Sequence, residues 1–125
     1  MILPKTVVLT MDNSGARRVR CICIYKKPGI CHATVANILL VIVTRLRNRG
    51  LMRVSKGQIL KCIITRTKER VYRKSHGYFF KFDFNTVIML NKKDLPIGTR
   101  IFGPCSKELI TKGFLRIASL CSLIL

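Results

Sequence analysis

Short runs of alternating side chains, separated by turn residues, recur along the chain and constrain its fold more than any other feature. The clearest run is QILKCIITRTKE at residues 58–69, where successive side chains alternate with the period of two expected of a strand. β-branched residues, which favour strands, dominate several other runs. These further strands are predicted at residues 6–11, 16–25, 34–45, 78–84 and 86–91. Five or six short strands with regular turns predict a mainly β protein with a small antiparallel barrel.

One short helix is predicted in the C-terminal part of the chain. It begins after the Gly-Pro pair at 103–104, with Ser106 as its N-cap and Glu108 in its first turn. Gly113 can end it, because glycine adopts the left-handed conformation that often follows a helix. Residues 114–125, FLRIASLCSLIL, are expected to close the chain as a strand or as a short helix packed on the core.

The length of 125 residues suits one domain, and with 49% apolar residues the chain can bury a core. No linker, internal repeat or low-complexity segment divides it. We therefore expect a single domain over residues 1–125. The barrel is expected over about residues 1–100 and a short-helical C-terminal extension over about residues 101–125.

The charge of the chain is lopsided, with 24 Lys and Arg against five Asp and Glu and a net charge of +19. The basic residues are interleaved with apolar ones along the whole chain, so the charge belongs to the folded surface. A charge this large repels itself in a free monomer, and a polyanion would relieve the repulsion. Nucleic acid is the commonest such partner. No run approaches the ~18 apolar residues of a membrane span, and we expect no membrane partner.

Two basic segments, at residues 45–53 and 66–74, carry few interspersed acids. A solvated charged face is the usual explanation for such segments, but the shortage of acids favours contact with phosphates. The turn DNSG at residues 12–15 leads directly into Arg17 and Arg18. Its amide groups, next to these arginines, can hold a phosphate. The same four residues are also an ordinary hairpin turn, so the predicted phosphate contact depends on the arginines.

Six cysteines raise the alternatives of disulfides and a metal site. Nothing else suggests secretion, so free thiols are expected. Cys21, Cys23, Cys31 and His32 have the spacing C-x-C-x7-C-H, which lacks the C-x2-C pairs typical of structural zinc. Cys21 and Cys23 are instead expected on the inner face of a strand as small apolar residues. We predict no metal site and no cofactor.

Catalytic chemistry is not expected. The five acids are scattered, so no two of them suggest a general acid and base, and no phosphate-binding, dinucleotide or nucleophile motif occurs. We therefore predict that the chain is not an enzyme and has no catalytic residue. Residues 73–77 are predicted to form a hairpin tip. The aromatic residues Tyr72, Tyr78, Phe79 and Phe80 around it are expected to serve core and hairpin packing rather than base stacking.

Three segments give the chain a more specific identity. DNSGARRV at residues 12–19, KGQILKCIITRTK at 56–68, and PIGTRIFGP at 96–104 followed by ELI resemble the ribosomal protein fourteen family of the large subunit. The order and spacing agree from Met1 to Leu125. The resemblance implies a five-stranded β-barrel with a C-terminal extension of short helices. The implied function is that of a structural constituent of the large ribosomal subunit.

The resemblance also implies a set of partners. These are the large-subunit rRNA, the neighbouring ribosomal proteins three and nineteen, the small-subunit rRNA across an intersubunit bridge, and a ribosome-silencing factor. Thr99, Arg100 and Arg116 match the surface that this factor uses in the family. The first turn and the two basic segments supply the residues expected to bind rRNA. These residues are Asn13, Ser14, Arg17, Arg18, Arg20, Arg45, Arg47, Arg49, Arg53, Arg66, Lys68, Arg70 and Arg73.

The chain departs from the family at several turns. Ala36-Asn37 replaces a Gly-Asp pair, Gln58 an aspartate, and Phe84 a glycine. Lost acids and relaxed turn glycines are typical of a drifted organellar sequence. MILPKTVVLT at residues 1–10 lacks the layout of a transit peptide, so we expect an organelle-encoded protein of the mitochondrial ribosome. Plastid and bacterial cytoplasm are the alternative locations, and a stand-alone basic β-barrel that regulates translation by binding RNA is the alternative function.

Overall fold

The protein folds around a closed barrel of five strands, as seen in a computed structural model that describes residues 1–25 and 32–125. The described residues form nine strands and two short helices. In chain order these are β1 Val7–Thr10, β2 Ala16–Ile24, β3 Ile38–Leu46, β4 Ile59–Arg66, β5 Val71–Arg73, β6 Tyr78–Phe80, β7 Thr86–Leu90, β8 Ile101–Cys105, α1 Glu108–Thr111, α2 Leu115–Leu120 and β9 Cys121–Ile124. Within the described ranges, no helix has the length and hydropathy needed to cross a bilayer.

The barrel strands follow the order β1-β2-β3-β4-β7. The prediction of a mainly β fold with a five-stranded barrel and short C-terminal helices is confirmed. Four of the five pairings are antiparallel. The barrel is closed by a parallel pairing of β1 with β7, in which Leu9 lies opposite Thr86. Closure gives every barrel strand two neighbours, so the barrel has no open edge that could pair with another chain.

The barrel interior is filled by aliphatic side chains from alternating strand positions. Val19, Leu39, Val41, Ile64 and Met89 are all fully buried there. The alternation is clearest in β3, where Leu39, Val41 and Val43 are buried and the residues between them are only partly buried. Burial of each such side chain stabilises the fold by about 1.5–3 kcal/mol relative to exposure.

The free cysteines of β2 do not share a face, contrary to expectation. Cys21 is buried, but the register between β2 and β3 shifts between Cys21 and Cys23, so that Cys23 is exposed and Ile24 is buried. The Cys21 side chain is therefore enclosed in the barrel, whereas the Cys23 side chain lies at the surface. Burial raises the pKa of Cys21 to about 11 and also raises that of Cys62. Cys31 lies outside the described residues.

The C-terminal segment differs from its prediction at the start of the helix. Helix α1 has Lys107 rather than Ser106 at its N-cap, with no side-chain capping bond, and the Ser106 hydroxyl donates instead to the Glu108 carboxylate. Gly113, with φ of 86°, follows the helix as predicted. The last twelve residues contain both predicted alternatives, because α2 leads directly into β9, which pairs in parallel with β8.

A disulfide between Cys105 and Cys121 joins β8 to β9, with the Cα atoms 6.3 Å apart. The expectation of free thiols is therefore wrong for these two residues. A second apolar cluster lies between the barrel and the C-terminal segment. It combines Ile63 and Ile88 of the barrel with Leu109 and Ile117 of the helices, all at most 2% exposed. This cluster fixes the C-terminal segment against one side of the barrel.

Candidate nucleic-acid interface

The turn at residues 12–15 is built around the buried carboxylate of Asp12. One carboxylate oxygen accepts a hydrogen bond from the Met89 amide at 2.9 Å, which ties the turn to β7. The other accepts from the Ser14 hydroxyl at 2.6 Å and the Ser14 amide at 3.3 Å. Ser14 is fully buried, so this residue, which was expected to contact RNA, instead supports the turn from inside.

The same turn fixes the basic loop between β3 and β4. Gly15 has φ of 100°, and a Cβ atom there would lie 2.6 Å from the Met52 sulfur. The carbonyl oxygen of Gly15 accepts from the Arg47 amide at 2.8 Å, and that of Ser14 accepts from the Arg53 amide at 2.9 Å. Only glycine allows both this backbone conformation and this close approach. Ser14 and Gly15 therefore position arginines that are more than thirty residues away along the chain.

The turn and the loop enclose a cleft of about 180 Å³, which we call the arginine cleft. A second opening of about 390 Å³ adjoins it through Arg47 and Arg49. Arg53 donates to the carbonyl oxygen of Ile97 at 2.8 Å, which fixes its side chain while leaving other guanidinium donors available. The polar and basic residues around the two openings are Asn13, Arg17, Arg47, Asn48, Arg49 and Arg53. The structure thus brings together five of the residues predicted to bind rRNA.

Arg18, Arg20 and Arg45 lie on the exposed outer surface of the barrel. Arg18 and Arg45 are cross-strand partners on β2 and β3. Like charges at opposing positions of a sheet destabilise it, and no described acid offsets this pair. The arrangement is electrostatically unfavourable in the free protein and becomes favourable when an anion lies across both guanidinium groups.

The acids of the chain are occupied elsewhere or lie apart from these arginines. Asp12 is buried within its turn, and Glu69 lies 3.5 Å from the His32 ring. Asp94 pairs with Lys61 at 3.0 Å, and Glu108 pairs with Arg73. In the described part of the chain no ion pair involves the seven arginines of β2 and of the 45–53 segment. Their positive field is therefore not compensated within the protein.

Arg66, one of the residues predicted to bind rRNA, is engaged inside the protein. Arg66 is only 8% exposed, and it donates to the carbonyl oxygens of Phe102 and Pro104, next to Gly103. Burial lowers the pKa of this arginine. A Cβ atom at Gly103, whose φ is 75°, would collide with the guanidinium group, so that glycine makes room for it. Arg66 thus joins the barrel to β8 rather than facing solvent.

Arg73 holds the β5–β6 hairpin against α1. Its guanidinium group donates to both carboxylate oxygens of Glu108, at 2.9 and 3.2 Å, and lies 4.5 Å from the centre of the Phe80 ring. Burial on its own would raise the pKa of Glu108, but hydrogen bonds from Arg73 and Ser106 outweigh it and the pKa is lowered. Lys68 and Arg70, beside the hairpin, are exposed, as are Lys74 at its tip and Lys81 after β6.

The three residues of the predicted protein-partner surface also lie near one another. Thr99 and Arg116 line one cleft of about 400 Å³ between the 95–99 loop and α2. Arg100 is exposed and follows Thr99 directly. The side chain of Asn13 accepts from the amides of Thr99 and Arg100 at 2.8 and 3.1 Å, which couples this surface to the arginine cleft.

The aromatic residues of the hairpin are more exposed than predicted. Phe80 is partly buried, but Tyr72, Tyr78 and Phe79 are 52, 43 and 64% exposed. The predicted core packing is therefore wrong for these three residues, whereas the predicted hairpin packing is present, because the rings of Tyr72 and Phe79 pack against each other across the two strands. The signal in the sequence is the hairpin alternation, which places residues 72 and 79 together on one face, while Val71 and Phe80 lie partly buried on the other. Phe84, at the family's glycine position, is also exposed and does not have a positive φ.

Comparison with known families agrees with the barrel, the C-terminal segment and the basic surface taken together. Residues 1–125 match the family described as ribosomal protein L14p/L23e, so the match covers the whole chain. Proteins of this family are constituents of the large ribosomal subunit, with a structural rather than a catalytic role. The chain therefore belongs to the ribosomal protein L14p/L23e family.

Proposed function

We propose that this protein is a non-catalytic constituent of the large ribosomal subunit that binds large-subunit rRNA through the arginine cleft and the adjoining face of β2 and β3. One observation carries the proposal. Seven arginines lie on the strand that follows one turn and on the 45–53 segment, and among the residues that the structure describes no acid pairs with them. These arginines are Arg17, Arg18, Arg20, Arg45, Arg47, Arg49 and Arg53.

Guanidinium groups suit this task because their planar fork of donors matches two phosphate oxygens at once. The barrel and the Asp12 network hold the cleft rigid, so little ordering is needed on binding. Lys68 and Arg70 extend the contact toward the hairpin, whereas Ser14 and Arg66 act as internal supports. Asn13 and Arg73 are largely engaged inside the protein and position the groups that touch RNA.

The cleft between Thr99 and Arg116 supports a second part of the proposal. It is an exposed concave surface with one exposed arginine on its wall and another beside it. By family resemblance, we assign it to the intersubunit face, where it would meet small-subunit rRNA across a bridge or a ribosome-silencing factor. Ribosomal proteins three and nineteen are the expected neighbours.

A mitochondrial ribosome is the proposed location, with plastid and bacterial ribosomes as the alternatives. The support is the loss of family acids and turn glycines at Asn37, Gln58 and Phe84. Mass spectrometry of large subunits purified from isolated mitochondria tests the location, since absence of the chain from those subunits contradicts it.

We also propose a single domain over residues 1–125, because the second apolar cluster contains side chains from both the barrel and the C-terminal segment.

The salt dependence of RNA binding tests the main proposal. We expect the affinity of the full chain for a duplex fragment of large-subunit rRNA to fall about a thousand-fold between about 50 and 200 mM salt, as for six or more phosphate contacts. The slope of log affinity against log salt concentration measures the number of phosphate contacts. The double variant Arg17→Gln/Arg49→Gln should make this slope shallower by close to two units. The charge-matched control is Lys92→Gln/Lys107→Gln, which changes two exposed lysines outside the cleft. A flat salt response of the unaltered protein contradicts the proposal.

A stand-alone RNA-binding translation regulator would show the same salt slope. Sedimentation of the endogenous protein separates the two functions. A ribosomal constituent sediments with the large subunit even after a wash at moderate salt concentration. A regulator sediments with free protein or with messenger RNA. Recovery mainly in the free fraction would favour the regulator.

A further inference from the structure

The β5–β6 hairpin displays two aromatic rings side by side on its outer face. Tyr72 and Phe79 are directly opposite each other in the two strands. Their ring centres are 5.0 Å apart and their planes are tilted by 45°. More than half of each side chain is exposed. Such a large exposed aromatic surface is costly in water and usually marks a contact with another molecule.

The other face of the hairpin is fixed to the body of the protein. Val71 packs on the second apolar cluster, and Arg73 binds Glu108 of α1. At the tip, the amides of His76 and Gly77 both donate to the carbonyl oxygen of Arg73, at 3.1 and 2.9 Å. The outer rings are therefore held in place by a supported hairpin, and the fold does not need them as core.

Basic residues surround the pair of rings. Arg70 and Lys81 flank the strand partners Val71 and Phe80, and Lys74 begins the tip. All three are exposed, and the alternation of an extended chain places Arg70 and Lys81 on the same face as the rings. Of the two acids in this region, Glu69 lies against His32, and Asp83 is exposed two residues beyond Lys81, so the three basic residues outnumber the one exposed acid. The face is thus aromatic at its centre and cationic at its edge.

We infer that Tyr72 and Phe79 form a stacking site for an unpaired base of rRNA, an inference that rests on the proposed RNA-binding function. Aromatic rings stack on any of the four bases, and flanking cations hold the phosphates on either side. A ring separation of 5.0 Å is too small to admit a base between the rings, because insertion needs about twice the 3.4 Å stacking distance. The base therefore stacks on the outer side of the pair.

The experiment uses the full chain with a single-stranded oligoribonucleotide that carries the fluorescent base 2-aminopurine, and with the same strand in a duplex. We expect fluorescence quenching on binding of the single strand. The variant Tyr72→Leu/Phe79→Leu keeps apolar volume but removes the rings, and should weaken single-strand binding about ten-fold or more. Its duplex binding should stay within about two-fold, because the arginine cleft is intact. Tyr72→Phe should bind as the unaltered protein does.

The matched control is Ile59→Ala, which removes exposed apolar surface from β4. It should leave both affinities unchanged. The inference is overturned if the leucine variant binds the single strand normally, or if single-strand and duplex binding fall together. It is also overturned if that variant loses only its association with large subunits, which would assign the rings to a protein partner. Failure of the unaltered protein to bind the duplex in a salt-dependent way would instead contradict the proposed function itself.

Discussion

Asn13 and Thr99 lie 86 residues apart in the chain and are joined by two hydrogen bonds between the first turn and the loop before β8. The Asn13 amide nitrogen donates to the Thr99 hydroxyl at 2.9 Å, and its carbonyl oxygen accepts from the Thr99 amide at 2.8 Å. A third bond to the same oxygen comes from the Arg100 amide. One asparagine thus connects the arginine cleft to the surface proposed to face the small subunit.

Replacement of Asn13 by alanine should loosen this connection. We expect the free energy of unfolding to fall by about 1–2 kcal/mol, because hydrogen bonds are lost and backbone amides lose their acceptor. Urea unfolding measures this loss, and Asn48→Ala in the basic loop is the control, with no expected change. Asn13→Asp keeps the acceptor and should cost less stability, yet it should weaken RNA binding by placing a negative charge beside the arginines. Equal stability of the two alanine variants would contradict the expectation.

Arg18 and Arg45 lie opposite each other on neighbouring strands. Removing one of these two charges should raise the stability of the free protein and lower its affinity for rRNA. Arg18→Gln removes a like-charge repulsion, so the free protein should become more stable at low salt by up to about 1 kcal/mol. The same change should weaken rRNA binding and reduce its salt slope by close to one unit. Urea unfolding and salt-dependent binding measure the two effects, with Arg18→Lys as the charge-conserving control. Loss of both stability and affinity would mean that the arginine supports the fold.

The Arg73–Glu108 pair should make the stability depend on pH on the acid side. The pKa of Glu108 is lowered in the folded protein, so the pair contributes stability that is complete above the ordinary carboxyl pKa of about 4.5. This contribution is lost as the pH falls through the lower, folded-state pKa. Glu108→Gln should therefore reduce stability near neutral pH and flatten its decrease below about pH 4.5. Urea unfolding between pH 3 and 7 tests this, with Asp83→Asn as the control.

The disulfide should stabilise the C-terminal segment. Cys105 and Cys121 are 16 residues apart, and closing a loop of this size stabilises a protein by about 3 kcal/mol in the chain-entropy account. Cys105→Ser/Cys121→Ser, or reduction of the unaltered protein, should lower the free energy of unfolding by about that amount. Cys23→Ser, at an exposed free thiol, should change little. If a reducing agent has no effect on the urea midpoint, the expectation is wrong.

The strands were predictable because their signal is local. Alternation in β4 and the β-branched residues of β1 and β3 appear within a few residues, and the turn at 12–15 carries its own glycine. The parallel pairing of Leu9 with Thr86 depends on residues far apart in the chain, so no local pattern indicates it. The disulfide escaped prediction for the same reason.

Which basic residues face outward could be predicted only in part. Arg66 ends a well-predicted strand, but its partners are carbonyl groups of β8, and only the folded chain shows that they surround it. Ser14 turns inward because Asp12 is buried, a fact set by the distant Met89 amide. The exposure of Cys23 follows from a one-residue register shift, which alternation in one strand cannot reveal.

Gly15 offers the sharpest test of how the arginine cleft is assembled. Alanine there meets two penalties, a left-handed backbone and a Cβ atom 2.6 Å from the Met52 sulfur and 3.1 Å from the Met52 Cα. Gly57 has φ of 82° but nothing within 4 Å of the added atom, so Gly57→Ala meets only the first penalty. We expect Gly57→Ala to cost about 1 kcal/mol and Gly15→Ala at least about 2 kcal/mol more.

The two glycine variants should also differ in RNA binding. Gly15→Ala pushes the loop away from the turn, which separates Arg47 and Arg53 from Asn13 and should weaken rRNA binding about ten-fold. Gly57→Ala should bind normally, because it leaves the Gly15–Arg47 hydrogen bond in place. Both affinities are measured well below the unfolding midpoint of each variant, so that loss of folded protein does not account for the result. Equal affinities would show that the backbone contact between turn and loop does not position the arginines.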